Sequence, residues 1–441
     1  MMLIQDKIKR KHKEKELKAL NEENTLIKIE QNENNDASTL IEESCYIYNS
    51  TNSNYEEENK INEEKKEYNK KNLNILEFIK IIGQHENTAE YIKEIGNEFF
   101  ISGGTDDKII IYTSDFNKMK EKIFFDWVYD ILDLRNINKN PIDIIVCTKV
   151  AFHLIRINES RNKITCYDSI KGYSFCQQMN YGYYLICKKG ASYLVSDLFS
   201  HILQIKSEIG FMNMIFNGGI IINDHYIALT SNSIKQSGKN ILILYNNLTK
   251  KIVYEETGYS FLPSSNGLTV MSKNENKILL CACKKYLKYQ KNGIFLVNIN
   301  FDEERKININ SLFYDTKDFE VYCFCQIFLS DKNSNRIFEE YKYKYETNYF
   351  LAGGYEKKKG LGKIKLFKIE DNKNFLDTEI EFIQDVEIEK KKKFKGFRGP
   401  ISKIIQTKKT GKILLSCWDG NIYLFNPPNF DYLLFYDNIN K

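Results

Sequence analysis

Histidine and carboxylate side chains are where chemistry would be sought in this sequence, and their spacing favours structural roles. The five histidines have no metal-ligand spacing, and no P-loop or Gly-x-Ser-x-Gly elbow is present. Asp106 and Asp107 are adjacent carboxylates, but neighbours in a tight turn rarely face one substrate. We expect Asp106 to cap the turn and Asp107 to face solvent. The sequence therefore predicts no enzyme, no cofactor and no metal site.

Cysteine spacing indicates core packing. Ten cysteines are scattered along the chain, and the only close pairs are Cys281/Cys283 and Cys323/Cys325. Both members of such a pair face one side of a strand. We expect small buried apolar side chains there, in preference to a metal site or a disulfide.

Composition places the chain in the all-β class. Five prolines stand against 28 Phe and 29 Tyr among 441 residues, a length at which a single domain favours a repeat or barrel architecture. The net charge of +5 comes from 64 basic and 59 acidic residues, a balance that predicts no specific nucleic-acid binding. No secretory signal and no transmembrane segment are evident, so a cytoplasmic location is expected.

Two regions differ in composition. Residues 1–71 are rich in Lys, Glu and Asn and predict a disordered, charged N-terminal arm. A stretch from Gln5 to Leu20 could form a helix that is solvated or induced by a partner, or could serve as a nuclear or anionic-surface address. Residues 72–441 predict one β-propeller.

Short apolar runs separated by polar turns begin at Leu76 and form seven groups of three strands, although six or eight groups remain open. Longer spacing between later groups suggests inserted loops at 329–346 and 371–396. The run Leu76–Ile82 is expected to supply the outer strand of the last group and close the ring, although the tail 431–436 could compete for that place. The groups are 89–112; 128–134, 144–147 and 152–155; 174–177, 183–187 and 192–195; 214–216 or 219–222, 226–230 and 241–245; 268–271, 277–283 and 293–297; 321–328, 349–353 and 363–367; and 401–425.

One motif occurs near the start and again near the end of the chain. The first copy places His85 before one strand, Ser102 near the end of the next, Asp106 in a turn and Tyr112 six residues later. The last copy keeps Asp419, with Phe397 in the place of the His and Phe425 six residues after the Asp. This is the pattern of one propeller blade.

These residues resemble the WD40-repeat family, in which the His, Ser and Asp form a hydrogen-bonded structural network with a Trp. The resemblance implies a seven-bladed WD40-like propeller in which His85, Ser102, Asp106 and Tyr112, in the place of the Trp, form this network in the first blade. In the last blade Asp419 is kept, but the full network cannot form. A kelch-type propeller is the nearest alternative, because Ser102-Gly103-Gly104 and Ala352-Gly353-Gly354 place two glycines after a strand. Kelch blades also require a Trp at a position where this chain has none.

The function that the resemblance implies is that of a non-catalytic scaffold or adaptor whose partners are other proteins. The alternative is a propeller that binds phosphoinositides or an anionic membrane through the basic loop 390–399. Phe397-Arg398-Gly399 is similar to the Phe-Arg-Arg-Gly motif of phosphoinositide-binding propellers, without its second arginine. The residues for such a contact are Lys391, Lys392, Lys393, Lys395 and Arg398.

Overall fold

A computed structural model describes most of the chain from residue 75 onward. Contacts divide the chain between Lys71 and Asn72; the expected arm of residues 1–71 and the tail 431–436 lie outside the described residues. The described ranges are 75–96, 99–124, 126–133, 142–157, 164–171, 175–178, 183–188, 191–196, 204–209, 214–233, 240–246, 248–249, 251–273, 276–285, 291–301, 307–330, 343–370, 378–386, 388 and 394–428.

The described residues form seven four-stranded antiparallel sheets, numbered here in chain order. Sheet 1 contains β2 (Ala89–Ile95), β3 (Phe99–Gly104), β4 (Lys108–Thr113) and β5 (Lys118–Ile123); sheet 2 contains β6 (Val128–Asp133), β7 (Ile142–Thr148), β8 (Ala151–Ile157) and β9 (Ile164–Lys171); sheet 3 contains β10 (Phe175–Gln178), β11 (Tyr183–Lys188), β12 (Ala191–Ser196) and β13 (Gln204–Ile209). Sheet 4 contains β14 (Met214–Ile221), β15 (Tyr226–Ser233), β16 (Asn240–Asn246) and β17 (Lys251–Glu256); sheet 5 contains β18 (Leu268–Lys273), β19 (Asn276–Cys283), β20 (Gly293–Phe301) and β21 (Ile307–Asp315). Sheet 6 contains β22 (Phe319–Ser330), β23 (Tyr343–Glu356), β24 (Leu361–Glu370) and β25 (Glu379–Asp385); sheet 7 contains β26 (Ile401–Gln406), β27 (Ile413–Cys417), β28 (Asn421–Phe425) and β1 (Phe78–Gln84).

The sheets are arranged as a β-propeller, so the all-β expectation is confirmed. First strands of neighbouring sheets contact one another, as β18 does with β22, β22 with β26, and β26 with β2. These first strands surround the axis of the propeller, which we call the central channel. No helix in the described part of the chain is long and apolar enough to cross a membrane.

Burial decreases from the middle strands to the outer strand of a sheet. Every residue of β3, β16 and β27 is buried, because neighbouring sheets cover both faces of a middle strand. The fourth strands β5 and β17 are mostly exposed. The sequence of β5, KMKEKI, is correspondingly polar, whereas β17, KIVYEE, exposes Ile252 and Val253.

The outer strands are a fourth strand in each sheet, which corrects the sequence prediction of three strands to a group. The segment 371–396 is not simply an inserted loop, because β25 lies within it and forms the outer strand of sheet 6. In sheet 4 the two alternative first strands are one strand, β14, whose pairing with β15 has a bulge between Phe216 and Gly218.

Sheet 7 takes its outer strand from the beginning of the described chain. β1 pairs antiparallel with β28, with Phe78 opposite Phe425 and Gln84 opposite Asn421. The backbone N–H of Asn426 donates to the carbonyl of Glu77 at 2.9 Å. The segment Leu76–Ile82 thus lies where the sequence predicted the closing strand.

Glycine pairs allow neighbouring sheets to approach closely. A Cβ at Gly103 would lie 2.5 Å from a methyl carbon of Val128 on β6, and a Cβ at Gly353 would lie 2.8 Å from a methyl carbon of Ile401 on β26. In both cases the glycine near the end of a second strand faces the first strand of the next sheet. Packing between sheets therefore explains Gly103 and Gly353, whereas a Cβ at Gly104 would lie 2.6 Å from Nδ1 of His85 and a Cβ at Gly354 would lie 2.0 Å from the carbonyl oxygen of Glu320 in the same sheet.

Antiparallel order fixes which loops share an end of the propeller. In every sheet the first strand begins at the end where the second strand finishes and the third begins. We call this end the upper face, and the opposite end the lower face. The β3–β4 turn with Asp106, the β27–β28 turn with Asp419 and residues 394–400, which lead into β26, all lie on the upper face.

Candidate functional site

Four of the expected residues form one hydrogen-bonded chain in sheet 1. Nδ1 of His85 lies 2.8 Å from Oδ1 of Asp106, and Nε2 of His85 lies 2.8 Å from Oγ of Ser102. Oγ of Ser102 lies 3.1 Å from the hydroxyl of Tyr112. All four side chains are buried. The chain therefore links the β3–β4 turn to the interior of the sheet.

The Asp106 carboxylate is the charged end of this network. Burial alone would raise the pKa of Asp106, but the hydrogen bond and charge interaction with His85 and the backbone N–H of Glu86 lower it overall. Burial raises the pKa of Tyr112, so its hydroxyl remains neutral. These are the properties of a structural network.

Asp107 is more constrained than the sequence predicted. Its φ angle of 62° is in the left-handed region, which residues other than Gly, Asn and Asp adopt at a cost. Gly420, at φ 85°, occupies the corresponding position of sheet 7. Asp107 is partly exposed, and its left-handed backbone is a constraint that the sequence prediction did not include.

Asp419 holds its turn by other partners. It accepts hydrogen bonds from the backbone N–H of Arg398 at 3.1 Å and from the hydroxyl of Tyr423 at 2.7 Å. The Arg398 bond corresponds to the bond from Glu86 to Asp106 in sheet 1, at 3.0 Å. Sheet 7 thus keeps the backbone contact of the motif and supplies a Tyr where sheet 1 uses His85.

Phe397, in the place of the histidine, belongs to a buried aromatic cluster. Its ring centroid lies 5.0 Å from that of Tyr423 and 5.1 Å from that of Phe394. Lys395 and Arg398 flank it and are exposed on the upper face, whereas Lys391, Lys392 and Lys393 lie outside the described residues. The Phe-Arg-Gly segment therefore forms the turn into β26, with its aromatic ring inside the core.

A second group of residues gathers at the upper end of the central channel. Nε1 of Trp418, in the β27–β28 turn, donates to Oε2 of Glu90 on β2 at 3.1 Å. The Trp418 ring meets that of Tyr322 on β22 edge to face, with 5.3 Å between centroids. Trp418 is 37% exposed. Sheets 1, 6 and 7 thus contribute to one surface.

Lys284, directly after β19, extends this surface to sheet 5. Its ammonium lies 4.7 Å above the Tyr322 ring, donates to the Tyr322 hydroxyl, and lies 3.3 Å from Oε2 of Glu320. Asn266, in a short 3-10 helix between β17 and β18, donates to the carbonyl of Glu90 at 3.1 Å. We call Glu90, Asn266, Lys284, Glu320, Tyr322 and Trp418 the mouth cluster.

Electrostatics distinguish the two carboxylates of the mouth cluster. Lys284 pairs with Glu320. Glu90 receives hydrogen bonds from Thr88 and Trp418, and its burial raises its pKa in spite of them.

A second charged group, Lys93, Lys403 and Asp130, lies on inner strands of sheets 1, 7 and 2, with the Lys403 ammonium 5.4 Å from the Tyr91 ring.

The other tryptophan of the chain also lies on the upper face. Trp127, directly before β6, is 51% exposed, and the ammonium of Lys149 lies 4.8 Å from its ring. Val150, in the adjacent β7–β8 turn, is also exposed. Sequence reasoning did not identify either tryptophan as a surface residue, although two Trp in 441 residues was an available signal.

The paired cysteines are core residues, as expected. Cys281, Cys283, Cys323 and Cys325 are all buried, and each carries a free thiol that is not part of a disulfide. Burial raises the pKa of both Cys323 and Cys325 to about 12. Thiols of this kind remain protonated and unreactive at neutral pH.

Comparison with known proteins identifies a fold. No protein-family profile and no curated protein matches the sequence. The structure is similar to the crystal structure of Raptor from Chaetomium thermophilum, with a TM-score of 0.53 and 9% sequence identity. The match covers 83% of this chain and 30% of the Raptor chain, so this chain spans less than a third of that protein's length. The similarity concerns the fold alone.

Proposed function

We propose that this chain is a non-catalytic WD40-type propeller that binds other proteins, as a scaffold or adaptor in the cytoplasm, through its upper face. The observation that supports this function best is the exposed Trp418 ring, held at the channel mouth by Glu90 and Tyr322. Tryptophan is enriched among the residues that contribute most to protein interfaces. A fixed orientation also reduces the entropy lost on binding.

Affinity purification of the tagged chain, followed by mass spectrometry, tests this function. Proteins captured by the wild type should be lost with Trp418→Ala and retained with Leu248→Ala. Leu248 is 63% exposed in the β16–β17 turn of the lower face, so it provides a matched loss of exposed apolar surface. Equal thermal melting would show that both variants fold. Partners that remain with Trp418→Ala but disappear with Leu248→Ala would contradict the assignment to the upper face.

A second candidate is attachment to an anionic membrane. Lys395 and Arg398 are both exposed in the segment that leads into β26 on the upper face, and each basic residue near such a membrane contributes about 1 kcal/mol. Flotation of the chain with vesicles that contain phosphoinositides should then succeed and should fail with Lys395→Glu/Arg398→Glu. Equal flotation of this variant, or no flotation of the wild type, would eliminate this candidate.

A further inference from the structure

The unsatisfied polar atoms near the channel mouth indicate what a ligand must supply. Asn266 is 6% exposed, and its Oδ1 is buried without a hydrogen-bond partner. The two obvious donors nearby are occupied, because Trp418 donates to Glu90 and Tyr322 donates to Glu320. Buried polar atoms are normally paired. A group that donates hydrogen bonds would complement this site.

The charges of the mouth cluster also indicate what kind of ligand would fit it. Lys284 offsets Glu320, so that among the residues that the structure describes the Glu90 carboxylate is the charge of the mouth cluster that has no ion-pair partner. The ammonium groups of the other charged group near the channel already have partners within the chain. Lys93 donates to the carbonyl of Ile131, and Lys403 lies over the Tyr91 ring. A cationic ligand would therefore neutralise Glu90.

Lys284 shows how this surface holds a cation. Its ammonium lies over an aromatic ring and against a carboxylate, at 4.7 Å from the Tyr322 centroid and 3.3 Å from Glu320. Trp418 and Glu90 repeat this combination of ring and carboxylate, and the Trp418 ring is partly exposed. Tryptophan is the most favourable ring for a cation.

We propose that the mouth cluster binds a lysine or arginine side chain that a partner protein presents, with its cation over Trp418 and beside Glu90. This inference rests on the proposed function and adds the chemistry of the partner. A basic residue in an otherwise variable peptide segment is the minimum that the site recognises.

Selection of phage-displayed random peptides on the full chain tests the inference. Enriched peptides should share a Lys or Arg, and its replacement by norleucine or citrulline should weaken binding in fluorescence anisotropy by roughly 30-fold or more, as expected for loss of a desolvated charge pair. Glu90→Gln and Trp418→Ala should have comparable effects. Trp418→Phe keeps an aromatic ring and should weaken binding less than Trp418→Ala.

The matched control is Glu255→Gln, the same chemical change at an exposed position of β17, which should leave the affinity within about twofold. Melting temperatures of all variants would identify any that fail to fold. Failure to enrich any peptide, enrichment of peptides without a basic residue, or unchanged binding by Trp418→Ala or by Glu90→Gln would overturn the inference. Cellular partners lost with Trp127→Ala but retained with Glu90→Gln would overturn it too, while the proposed function would stand.

Discussion

At the scale of single residues, the network in sheet 1 connects a surface turn to the core through one histidine. Asp106 is the only charged acceptor of this chain of hydrogen bonds, and the N–H groups of His85 and Glu86 both depend on it. Space around it is also limited, because a Cβ at Gly104 would lie 2.6 Å from Nδ1 of His85. The network therefore has little capacity to rearrange.

Asp106→Ala should lower the free energy of unfolding by about 1 to 3 kcal/mol, because it leaves the buried Nδ1–H of His85 without a partner. Urea unfolding followed by tryptophan fluorescence would measure the loss. Asp115→Ala is the matched control, since Asp115 is exposed in the β4–β5 turn, and it should change the free energy by less than about 0.5 kcal/mol. A similar loss in both variants would show that the network contributes nothing specific.

The stability provided by Asp106 should depend on pH in acid. A carboxylate whose pKa is lowered in the folded state stabilises the fold above its unfolded pKa of about 3.9, and this contribution disappears as pH falls through the folded value. The wild type should therefore exceed Asp106→Asn in stability at about pH 5, and the difference should decrease below about pH 4. Urea unfolding at several pH values measures this difference. A difference that grows as pH falls would contradict the lowered pKa.

At the scale of elements, sequence patterns were informative where strands are buried and weak where they are not. Runs such as ILLSC and NILILYN are continuously buried as β27 and β16, and their apolar residues predicted these strands. The outer strand β5 carries few apolar residues because one edge and much of both faces meet solvent. Neither composition nor period marks KMKEKI as a strand; its position beside β4 does.

β1 is the element on which the completion of sheet 7 depends. Deletion of residues 1–71 should leave melting and solubility unchanged, whereas deletion of residues 1–84 should expose the edge of β28 and promote aggregation. Size-exclusion chromatography and thermal melting of the two shortened chains measure this. Equal behaviour would mean that β1 is dispensable for the sheet.

At the scale of the whole molecule, turns of sheet 7 are packed against sheet 1. The backbone N–H of His85 donates to the carbonyl of Gly420 at 2.8 Å, and a Cβ at Gly420 would lie 2.5 Å from the carbonyl oxygen of His85. Oγ of Ser402 also donates to the carbonyl of Ala89 at 2.6 Å. The first and last sheets thus form a continuous interface.

Gly420→Ala should destabilise the chain more than Gly396→Ala. Both glycines have φ near 85°, which costs an alanine about 1 to 2 kcal/mol, but nothing lies within 4 Å of a Cβ at Gly396. The additional loss in Gly420→Ala, about 1 to 3 kcal/mol, would report the collision between sheets 7 and 1. Equal losses in thermal or urea unfolding would mean that this interface adapts without cost.

The mouth cluster could not be predicted from the sequence, because its residues come from different sheets of the propeller. Glu90 and Trp418 are 328 positions apart, and only the closed ring brings them together. The motif of sheet 1, by contrast, lies within one local run of strands, so its spacing could be interpreted directly. Local motifs predicted the blade, and the arrangement of blades created the candidate site.

The origin of the outer strand of sheet 7 also sets an order of events during synthesis. Glu77 and Asn426 are joined by a hydrogen bond across 349 positions, and β1 leaves the ribosome long before its partner β28 exists. Throughout that time the edge of β1, with Phe78, has no native partner. Completion of the propeller therefore waits until β28 has been synthesised, and the interval before it is when β1 is available to another copy of the chain or to a chaperone.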